Sequence, residues 1–362
     1  MNIVSILLSG ETYKLRKLRI YKQLFKDYKK NPLNPVRVLL THSRGFITSD
    51  WEILDLDKEN YSRYLTTKQY NSFHPINGYY STIIDDKLVV KYLLSGTELS
   101  RNMPDYYFLI DESGKLRPMM DSPIKKETPS WDDVVELLKE KKILALKLIT
   151  GSLGRGFYKL EYKNQKIFIN DHENNEEEFI SFLSSLSNYV ITEYLSTHPE
   201  LARIWPKTAN TLRYLAGCVD GEWRMIKSFI RFGSNQSGVV ENFNAGGVLC
   251  YVDSNGFFNG GYVVGREGKK LRPFSVEKHP DSNEILNGHI PCWDKVVKCA
   301  EGIERLLPQM KYLGFDFVVT DKDEVKLLEI NSLTSLDSLQ LDCSILETEN
   351  GKWFFSSLSE TV

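Results

Sequence analysis

Two acidic residues and one amide are spaced along an apolar hairpin pattern near the end of the chain. The segment GFDFVVTDKDEVKLLEIN, residues 314–331, has an apolar run on each side of a polar turn. If the turn is centred between residues 322 and 323, Glu329 faces Asp316, and the two-residue period of a strand places Asn331 on the face of Glu329. Like charges directly opposite one another are destabilising, and two carboxylates with an amide form an oxygen set that suits Mg²⁺. The pattern predicts a magnesium site, and the alternative is a solvent-facing hairpin whose acids are kept apart by strand twist.

A glycine-rich loop led by a lysine is the second candidate. Lys147 lies within the apolar run ILALKL, and the loop TGSLGRG follows at residues 150–156. Glycines let backbone N–H groups converge on an anion, and a lysine in an apolar strand is costly to bury unless its charge has a partner. A polyphosphate would supply that partner, whereas an ordinary flexible hairpin turn is the alternative. The loop fits neither the Walker A pattern nor G-x-G-x-x-G, and Lys87 lies at a predicted helix N-terminus, an end that favours anions.

Further polar residues accompany later strands. Arg213 and Arg231 lie in apolar runs and can clamp phosphate or carboxylate oxygens, although each can equally be the arginine of a structural ion pair. The run VITEYL ends in a hinge that can offer backbone groups to a purine edge. Glu193 or Glu200 can accept a hydrogen bond from a ribose hydroxyl there, and an ordinary connector with surface acids is the alternative.

A polar, glycine-rich loop, ENFNAGG at residues 241–247, separates two predicted strands, as is typical of a loop that approaches a ligand. His279, in EKHPDS, is a candidate substrate contact, with a surface histidine as the alternative. The candidate substrate-binding residues are therefore Asn242, Asn244, Gly246, Gly247 and His279.

The elements that must position these residues alternate in blocks of strands and helices. Periodicity and capping residues predict helices near residues 16–29, 85–95, 131–142, 176–186 and 291–307. A hairpin is predicted at residues 106–118, three strands between 143 and 170, one strand at 189–195, a strand-rich stretch at 211–264 and a final hairpin at 315–331. Because these blocks are not regular βαβ units, an α+β fold with several subdomains is predicted. Residues 1–84 show little recognisable chemistry.

Composition excludes several classes of protein. The 362 residues carry 46 Lys and Arg against 48 Asp and Glu, a net charge of −2, which gives no basic footprint for nucleic acid. No apolar run approaches the roughly 20 residues of a membrane helix, and the short apolar stretch after Met1 lacks the charged lead of a signal peptide. The 5 scattered cysteines predict no disulfide framework, so we expect a cytoplasmic protein. The oligomeric state is left open, a homo-oligomer included.

The order of these features resembles the ATP-grasp superfamily. The resemblance rests on D-K at a helix start, K-x-x-x-G-S-x-G-x-G at residues 147–156, the E-Y-L hinge and the final D…E-x-N. GF-x-x-x-DW, NTLR, ENFNAGG, HPDSNEILNGHIPCW and GFDF…LLEIN resemble, more closely, its sugar-transfer-associated branch, over residues 46–340.

The resemblance implies an ATP-grasp fold in which two α+β lobes hold ATP. It implies an N-terminal region at residues 1–84, a lid lobe at 85–195 and a C-terminal lobe with the metal site at 196–362. The implied nucleotide-binding residues are Lys87, Lys147, Gly151, Ser152, Gly154, Gly156, Glu193, Tyr194, Leu195 and Glu200. Asp316, Glu329 and Asn331 would hold Mg²⁺. Many such ligases have an arginine two residues before the first metal acid, but this chain has Gly314 there, so Arg213 or Arg231 would supply the catalytic cation.

The resemblance implies a ligase that uses ATP and Mg²⁺ to activate a carboxylate as an acyl phosphate and joins it to an amine. Surface polysaccharide synthesis is the implied setting, with small-molecule or sugar-linked substrates such as a uronic acid and an amino acid. The alternatives are a kinase of a sugar or small metabolite, and a non-catalytic nucleotide-binding partner of a glycosyltransferase complex.

Overall fold

Two antiparallel β-sheets with helices packed against them form the described part of the chain. The computed structural model describes residue 15 and residues 19–30, 35–151, 156–238, 241, 243–268 and 270–359. Every strand pair within these ranges is antiparallel, in hairpins and between distant segments alike. This architecture confirms the α+β prediction.

The first sheet has seven strands in the order β2-β1-β7-β3-β4-β5-β6. Its strands are β1 Tyr106–Ile110, β2 Leu116–Pro118, β3 Ile143–Leu148, β4 Tyr158–Lys163, β5 Lys166–Ile169, β6 His172–Asn174 and β7 Tyr189–Glu193. The helices α7 (Trp131–Lys141) and α8 (Glu176–Ser184) share an apolar core with this sheet. Ser130 and Asp133 form a capping box at the start of α7, as the sequence predicts.

The second sheet has nine strands, seven of them in the order β13-β12-β10-β9-β8-β15-β16, with β11 pairing with β10 and with β14. Its strands are β8 Thr211–Val219, β9 Glu222–Phe232, β10 Val248–Val252, β11 Phe257–Asn259, β12 Gly261–Glu267, β13 Lys270–Val276, β14 Asn287–His289, β15 Tyr312–Val319 and β16 Val325–Asn331. The helices that follow the first sheet in the chain are α9 Pro199–Ala202, α10 Trp293–Leu306, α11 Leu336–Gln340 and α12 Glu349–Ser359.

Six helices precede the first sheet, within the ranges that the structure describes. They are α1 Arg19–Lys30, α2 Pro35–Ser43, α3 Thr48–Ile53, α4 Thr67–Phe73, α5 Ser81–Ile84 and α6 Lys87–Leu94. The predicted start of the first helix, residues 16–18, lies outside the described residues.

The early helices pack against the second sheet instead of forming a separate core. The hydroxyl oxygens of Tyr70 and Tyr312 lie 2.8 Å apart, and both residues belong to one buried cluster with Leu215 and Phe354. The Gln340 amide accepts a hydrogen bond from the backbone N–H of Leu65 and donates one to its carbonyl. The described helices around residues 65–70 therefore pack onto the C-terminal half of the molecule.

Strand β13 and helix α12 were not predicted. Pro273 interrupts the strand pattern of β13, and proline is unfavourable inside a sheet except at an edge. The strand occupies the edge of the second sheet, which explains why the proline is tolerated. Among the described helices, none is long and apolar enough to cross a membrane.

Candidate active site

One cavity of about 1060 Å³ is lined by residues of both sheets and of the N-terminal helices. Strand β3 and the end of β7 line it from the first sheet, and strands β8, β9, β15 and β16 line it from the second. The candidate residues that line it are Lys87, Lys147, Gly151, Gly156, Glu193, Tyr194, Leu195, Arg213, Arg231, Asp316, Glu329 and Asn331.

The hairpin of β15 and β16 pairs the two predicted acids. Asp316 is directly opposite Glu329, as predicted, but the turn is not centred where the prediction places it. Val319 pairs with Val325, so the turn is centred on residue 322, and a β-bulge beside Asp316 shifts the register by one residue. Without this bulge Asp316 would face Leu328 and Glu329 would lie on the opposite face.

Two guanidinium groups surround Asp316. Arg213, directly opposite it on β8, donates from Nε to Oδ1 at 2.5 Å and from Nη2 to Oδ2 at 2.8 Å. Nη2 of Arg231 lies 3.1 Å from the same Oδ2. Burial opposes the charge of Asp316, but the attraction of the two arginines outweighs it and holds the pKa of Asp316 well below its usual value. The repulsion expected between the opposed acids is thus offset by protein cations, so repulsion alone is no argument for a metal ion.

Lys87 connects the second acid to the glycine loop. Asp86 caps α6 by accepting hydrogen bonds from the backbone N–H groups of Leu88 and Val89, which fixes the helix start at Lys87. The Lys87 Nζ atom lies 2.7 Å from Glu329 Oε2 and donates to the carbonyl of Gly151, also at 2.7 Å. The backbone N–H of Lys87 donates to the carbonyl of Ile149, just after β3. The helix start, the loop and the hairpin therefore meet at one point.

Lys147 presents a charge without a protein partner. Its side chain extends from β3 into the cavity wall, and no residue in the described ranges forms a hydrogen bond or an ion pair with its ammonium group. Burial and the neighbouring charge of Lys87 lower the pKa of Lys147 to about 8. The cavity therefore contains a partly desolvated cation that an anionic ligand would stabilise.

The glycine loop is described at its two ends. Gly151 and Gly156 both line the cavity, and Gly156 has a φ of +71°, where a side chain would also collide with Leu148 and with the hydroxyl of Tyr189. Ser152 and Gly154 lie outside the described residues.

The hinge residues follow strand β7 along the cavity. The Glu193 carboxylate accepts a hydrogen bond from the backbone N–H of Asp105 at 3.2 Å, so part of its hydrogen-bonding capacity is used within the protein. Burial, together with the charge of Glu241, raises the pKa of Tyr194 to about 12. Leu195 is buried. Glu193, Tyr194 and Leu195 form a continuous edge of the cavity, and their role in adenine binding stays a prediction.

Several candidates are not brought to the cavity. Glu200 is exposed on α9 and does not line it. His279 is 1% exposed, faces the backbone carbonyl of Gly233 across 2.8 Å and stacks on Trp205, so it lies within the packed protein rather than at a ligand surface. Burial lowers the pKa of His279.

The loop that follows Glu241 contributes less than predicted. Gly246 and Gly247 are outside the cavity lining, and Gly246 has a φ of +105° beside Gln236. Asn242 lies outside the described residues, as does the side chain of Asn244.

Sequence reasoning missed several lining residues, among them Thr211, Thr334, Asp85 and Glu241. Thr211 donates to Glu241 Oε1 at 2.8 Å and accepts from Arg231, so it links these two charged groups. Thr334 accepts a hydrogen bond from Arg213 Nη1, and Asp85 accepts hydrogen bonds from the backbone and hydroxyl of Ser332. Thr211 and Glu241 lie within the motifs NTLR and ENFNAGG, and Asp85 lies beside the D-K pair, which is a usable signal. Nothing in the sequence distinguishes Thr334.

The oxygen atoms of Asp316, Glu329 and Asn331 fit a magnesium ion. A carboxylate has about four acceptor positions, and the two arginines use three of those on Asp316. Glu329 contacts Lys87 and Asn331, and Asn331 Oδ1 accepts no hydrogen bond from a described residue. No group of three or more His, Cys, Asp or Glu side chains suited to a metal occurs within the described ranges. Two carboxylates with an amide match an ion that completes its shell with water and phosphate oxygens.

Comparison with known proteins gives one family match. The family model described as sugar-transfer associated ATP-grasp matches residues 67–349, most of the chain. No curated protein matches the chain in sequence.

Three solved structures illustrate the similarity of this chain to proteins of known structure. A structure of the ATP-grasp ligase PsnB with a minimal precursor is 13% identical, with a TM-score of 0.41, over 79% of this chain and 64% of that one. D-alanyl-alanine synthetase A from Vibrio cholerae is 12% identical, with a TM-score of 0.44, over 81% and 67%. N5-carboxyaminoimidazole synthetase from Staphylococcus aureus, complexed with ADP, is 10% identical, with a TM-score of 0.37, over 71% and 47%. This chain thus spans less than two thirds of the PsnB chain and of the N5-carboxyaminoimidazole synthetase chain.

Proposed function

The chain belongs to the sugar-transfer associated ATP-grasp family, and on this premise we propose that it is an Mg·ATP-dependent carboxylate–amine ligase. The carboxylate or the amine is carried on a sugar, as in amide formation between a uronic acid and an amino acid during surface polysaccharide synthesis in the cytoplasm. The family description supports the sugar-linked setting, and the charges in the cavity support the use of ATP.

The observation that carries the proposal is the unpartnered ammonium group of Lys147 in the cavity wall. Burial and the neighbouring charge of Lys87 both lower the pKa of Lys147. Two cations at the start of a glycine loop suit the phosphates of a nucleotide. Glu329 contacts Lys87 and is paired with Asp316, and these two acids would provide oxygen ligands for a metal ion that neutralises phosphate charge.

The two arginines have different roles in this proposal. Arg213 is held by both oxygens of Asp316 and by Thr334, and its side chain is 8% exposed, so it positions Asp316. Arg231 is 17% exposed, and its Nη1 atom has no hydrogen-bond partner among the described residues. Arg231 is therefore the residue that can donate to the transferring phosphoryl group or to the acyl phosphate.

In the first step, a carboxylate oxygen of the acid attacks the γ-phosphorus of ATP, and the bond to the ADP oxygen breaks. Lys87, Lys147 and Arg231 stabilise the charge on the phosphate oxygens. A magnesium ion held by Asp316, Glu329 and Asn331 would neutralise further phosphate charge when bound. In the second step, the amine nitrogen attacks the acyl carbon, inorganic phosphate leaves with the bonding electron pair, and the nitrogen loses a proton.

The test is a screen of the protein with ATP, Mg²⁺ and pairs drawn from a panel of uronic acids and amino acids. We expect ADP, inorganic phosphate and an amide in equal amounts, identified by mass spectrometry. ADP with a phosphorylated sugar and no free phosphate contradicts the proposal, because this product set belongs to a kinase. Bound ATP without turnover on any pair also counts against it.

A further inference from the structure

The cavity extends beyond the phosphate-binding residues to an end formed by the N-terminal helices. The side chains there are acceptors. Asp50 of α3 and Asn71 of α4 line this end together with Asp337 of α11. Asp50, Asn71 and Asp337 are 9%, 5% and 6% exposed, so all three side chains are more than nine-tenths buried. We call this set the acidic end of the cavity.

Neither acid of this set forms an ion pair within the described ranges. Asp50 Oδ2 accepts a hydrogen bond from the hydroxyl of Thr67 at 2.6 Å. Asp337 Oδ1 accepts from the backbone and hydroxyl of Ser338, but Oδ2 has no hydrogen-bond partner among the described residues. Charged groups this deeply buried normally have a partner of opposite charge, so these two carboxylates are unusual.

Every cation in the described lining of the cavity belongs to its other end. The basic residues in its described lining are Lys87, Lys147, Arg213 and Arg231. Lys87, Arg213 and Arg231 contact Glu329 or Asp316, and Lys147 lies beside Lys87, so all four belong to the phosphate-binding end. The two ends of one cavity therefore have opposite charge requirements.

Unpartnered amide oxygens supply a second and independent observation. The amide nitrogen of Asn71 donates to the carbonyl of Thr67, whereas its oxygen, in the cavity lining, accepts no hydrogen bond from a described residue. The amide oxygen of Gln23, another lining residue, is buried and has no hydrogen-bond partner among the described residues. Such groups are rare in folded proteins, because an unmet acceptor costs free energy. A ligand with a positive charge and N–H donors would satisfy such oxygens, and an ammonium group has three donors, one each for Asp50, Asp337 and Asn71, and no acceptor.

We propose that the acidic end of the cavity binds the ammonium group of the amine substrate through Asp50, Asp337 and Asn71. This inference rests on the proposed ligase function and identifies the substrate class of its second step: an amine that binds as a cation. Before its nitrogen attacks the acyl carbon, the ammonium group passes one proton to the carboxylate of Asp50 or Asp337. Asp50 precedes the residues that the family model matches, which begin at residue 67. The proposed subsite is thus assembled partly from the chain's own N-terminal helices.

The raised pKa of Asp50 agrees with this assignment. Burial, with the charges of Asp337 and Asp27, raises the pKa of Asp50 to about 7, while the hydrogen bond from Thr67 acts in the opposite direction. A cation bound between the carboxylates would remove this repulsion. Two buried acids without a cationic partner destabilise the protein, and such unfavourable arrangements of charge are common in binding sites.

The test measures amine binding to the full chain saturated with AMPPNP and Mg²⁺. The probes are D-glucosamine and glycinamide, with N-acetyl-D-glucosamine and N-acetylglycinamide as neutral counterparts. Titration calorimetry should show saturable binding of the amines alone. Asp50→Asn and Asp337→Asn should each weaken amine binding at least about tenfold, since a charge-assisted hydrogen bond is lost. Asp294→Asn, an exposed acid on α10, is the matched control and should leave binding unchanged.

Three results would overturn the subsite: no saturable binding of either amine, equal binding of the neutral counterparts, or unchanged amine binding in both Asn variants. Thermal unfolding of each variant establishes whether it is folded. If Asp50→Asn does not fold, Asp337→Asn alone tests the subsite. AMPPNP affinity separates the two proposals. If the wild-type protein binds the amines but not AMPPNP, the ligase proposal is contradicted and the subsite is still supported. If it binds AMPPNP but not the amines, only the subsite is contradicted.

Discussion

Removing or replacing the charge of Lys147 provides a quantitative test of the phosphate-binding end. The pKa of Lys147 is lowered from 10.5 to about 8, so the protein destabilises its charged form by about 3 kcal/mol relative to water. Phosphate oxygens supply the missing partner, so nucleotide binding should raise this pKa again. Because the raised value belongs to the complex, affinity is full below about pH 8 and falls about tenfold per pH unit above it.

The assay is titration of AMPPNP at pH 7, 8 and 9 in two buffers of different ionisation enthalpy. At pH 8 the wild type should take up about half a proton per nucleotide bound, because half of its Lys147 is neutral beforehand. Lys147→Arg, which stays charged, should bind without this proton uptake, and Lys147→Met should bind weakly at every pH. Wild-type affinity that does not change between pH 7 and 9, or equal affinity of the Arg and Met variants, would refute the reasoning.

Three further predictions concern the acids of the cavity. Asp316→Asn leaves the buried Arg213 without its charged partner and should lower the free energy of unfolding by about 3–5 kcal/mol; a loss below about 1 kcal/mol in urea unfolding would show that the pair is not structural. Glu329→Gln removes one metal donor and should weaken the apparent Mg²⁺ affinity at least about tenfold in a Mg²⁺ titration of nucleotide binding, whereas an unchanged midpoint would exclude Glu329 as a ligand. Asp50→Asn removes an acid whose folded-state pKa, about 7, lies above its ordinary 3.8, so the wild type should lose stability as pH rises from about 4 to 7. The variant should then exceed the wild type by up to about 4 kcal/mol at pH 8, and parallel stability–pH curves would contradict this.

The hairpin pattern correctly predicted that Asp316 pairs with Glu329, but it placed the centre of the turn incorrectly. Asp316 faces Glu329 because a bulge compensates for a turn centred on residue 322, and hairpin symmetry cannot reveal a bulge. The helix start at Lys87 follows from the capping residue Asp86, and the structure places it within the predicted range.

Contacts between distant segments could not be predicted. Arg213 neutralises Asp316 because β8 pairs with β15, two strands separated by about a hundred residues, and no spacing rule fixes that order. The interpretation that residues 1–84 show little recognisable chemistry stays a prediction, although described helices of this region line part of the cavity. Asp50 lies in the GF-x-x-x-DW motif and Asn71 lies in no motif, and only the packing of α3 and α4 against the second sheet places both in the cavity.

Trapping the activated acid tests the central claim most directly. The protein is incubated with ATP, Mg²⁺, the panel of uronic acids and amino acids, and hydroxylamine, which replaces the amine and converts an acyl phosphate into a hydroxamate. We predict that at least one acid gives a hydroxamate in amounts equal to the ADP formed, and that Lys147→Met gives none at the same nucleotide concentration. ADP formed without any hydroxamate, alongside a phosphorylated product that resists hydroxylamine, would contradict the account.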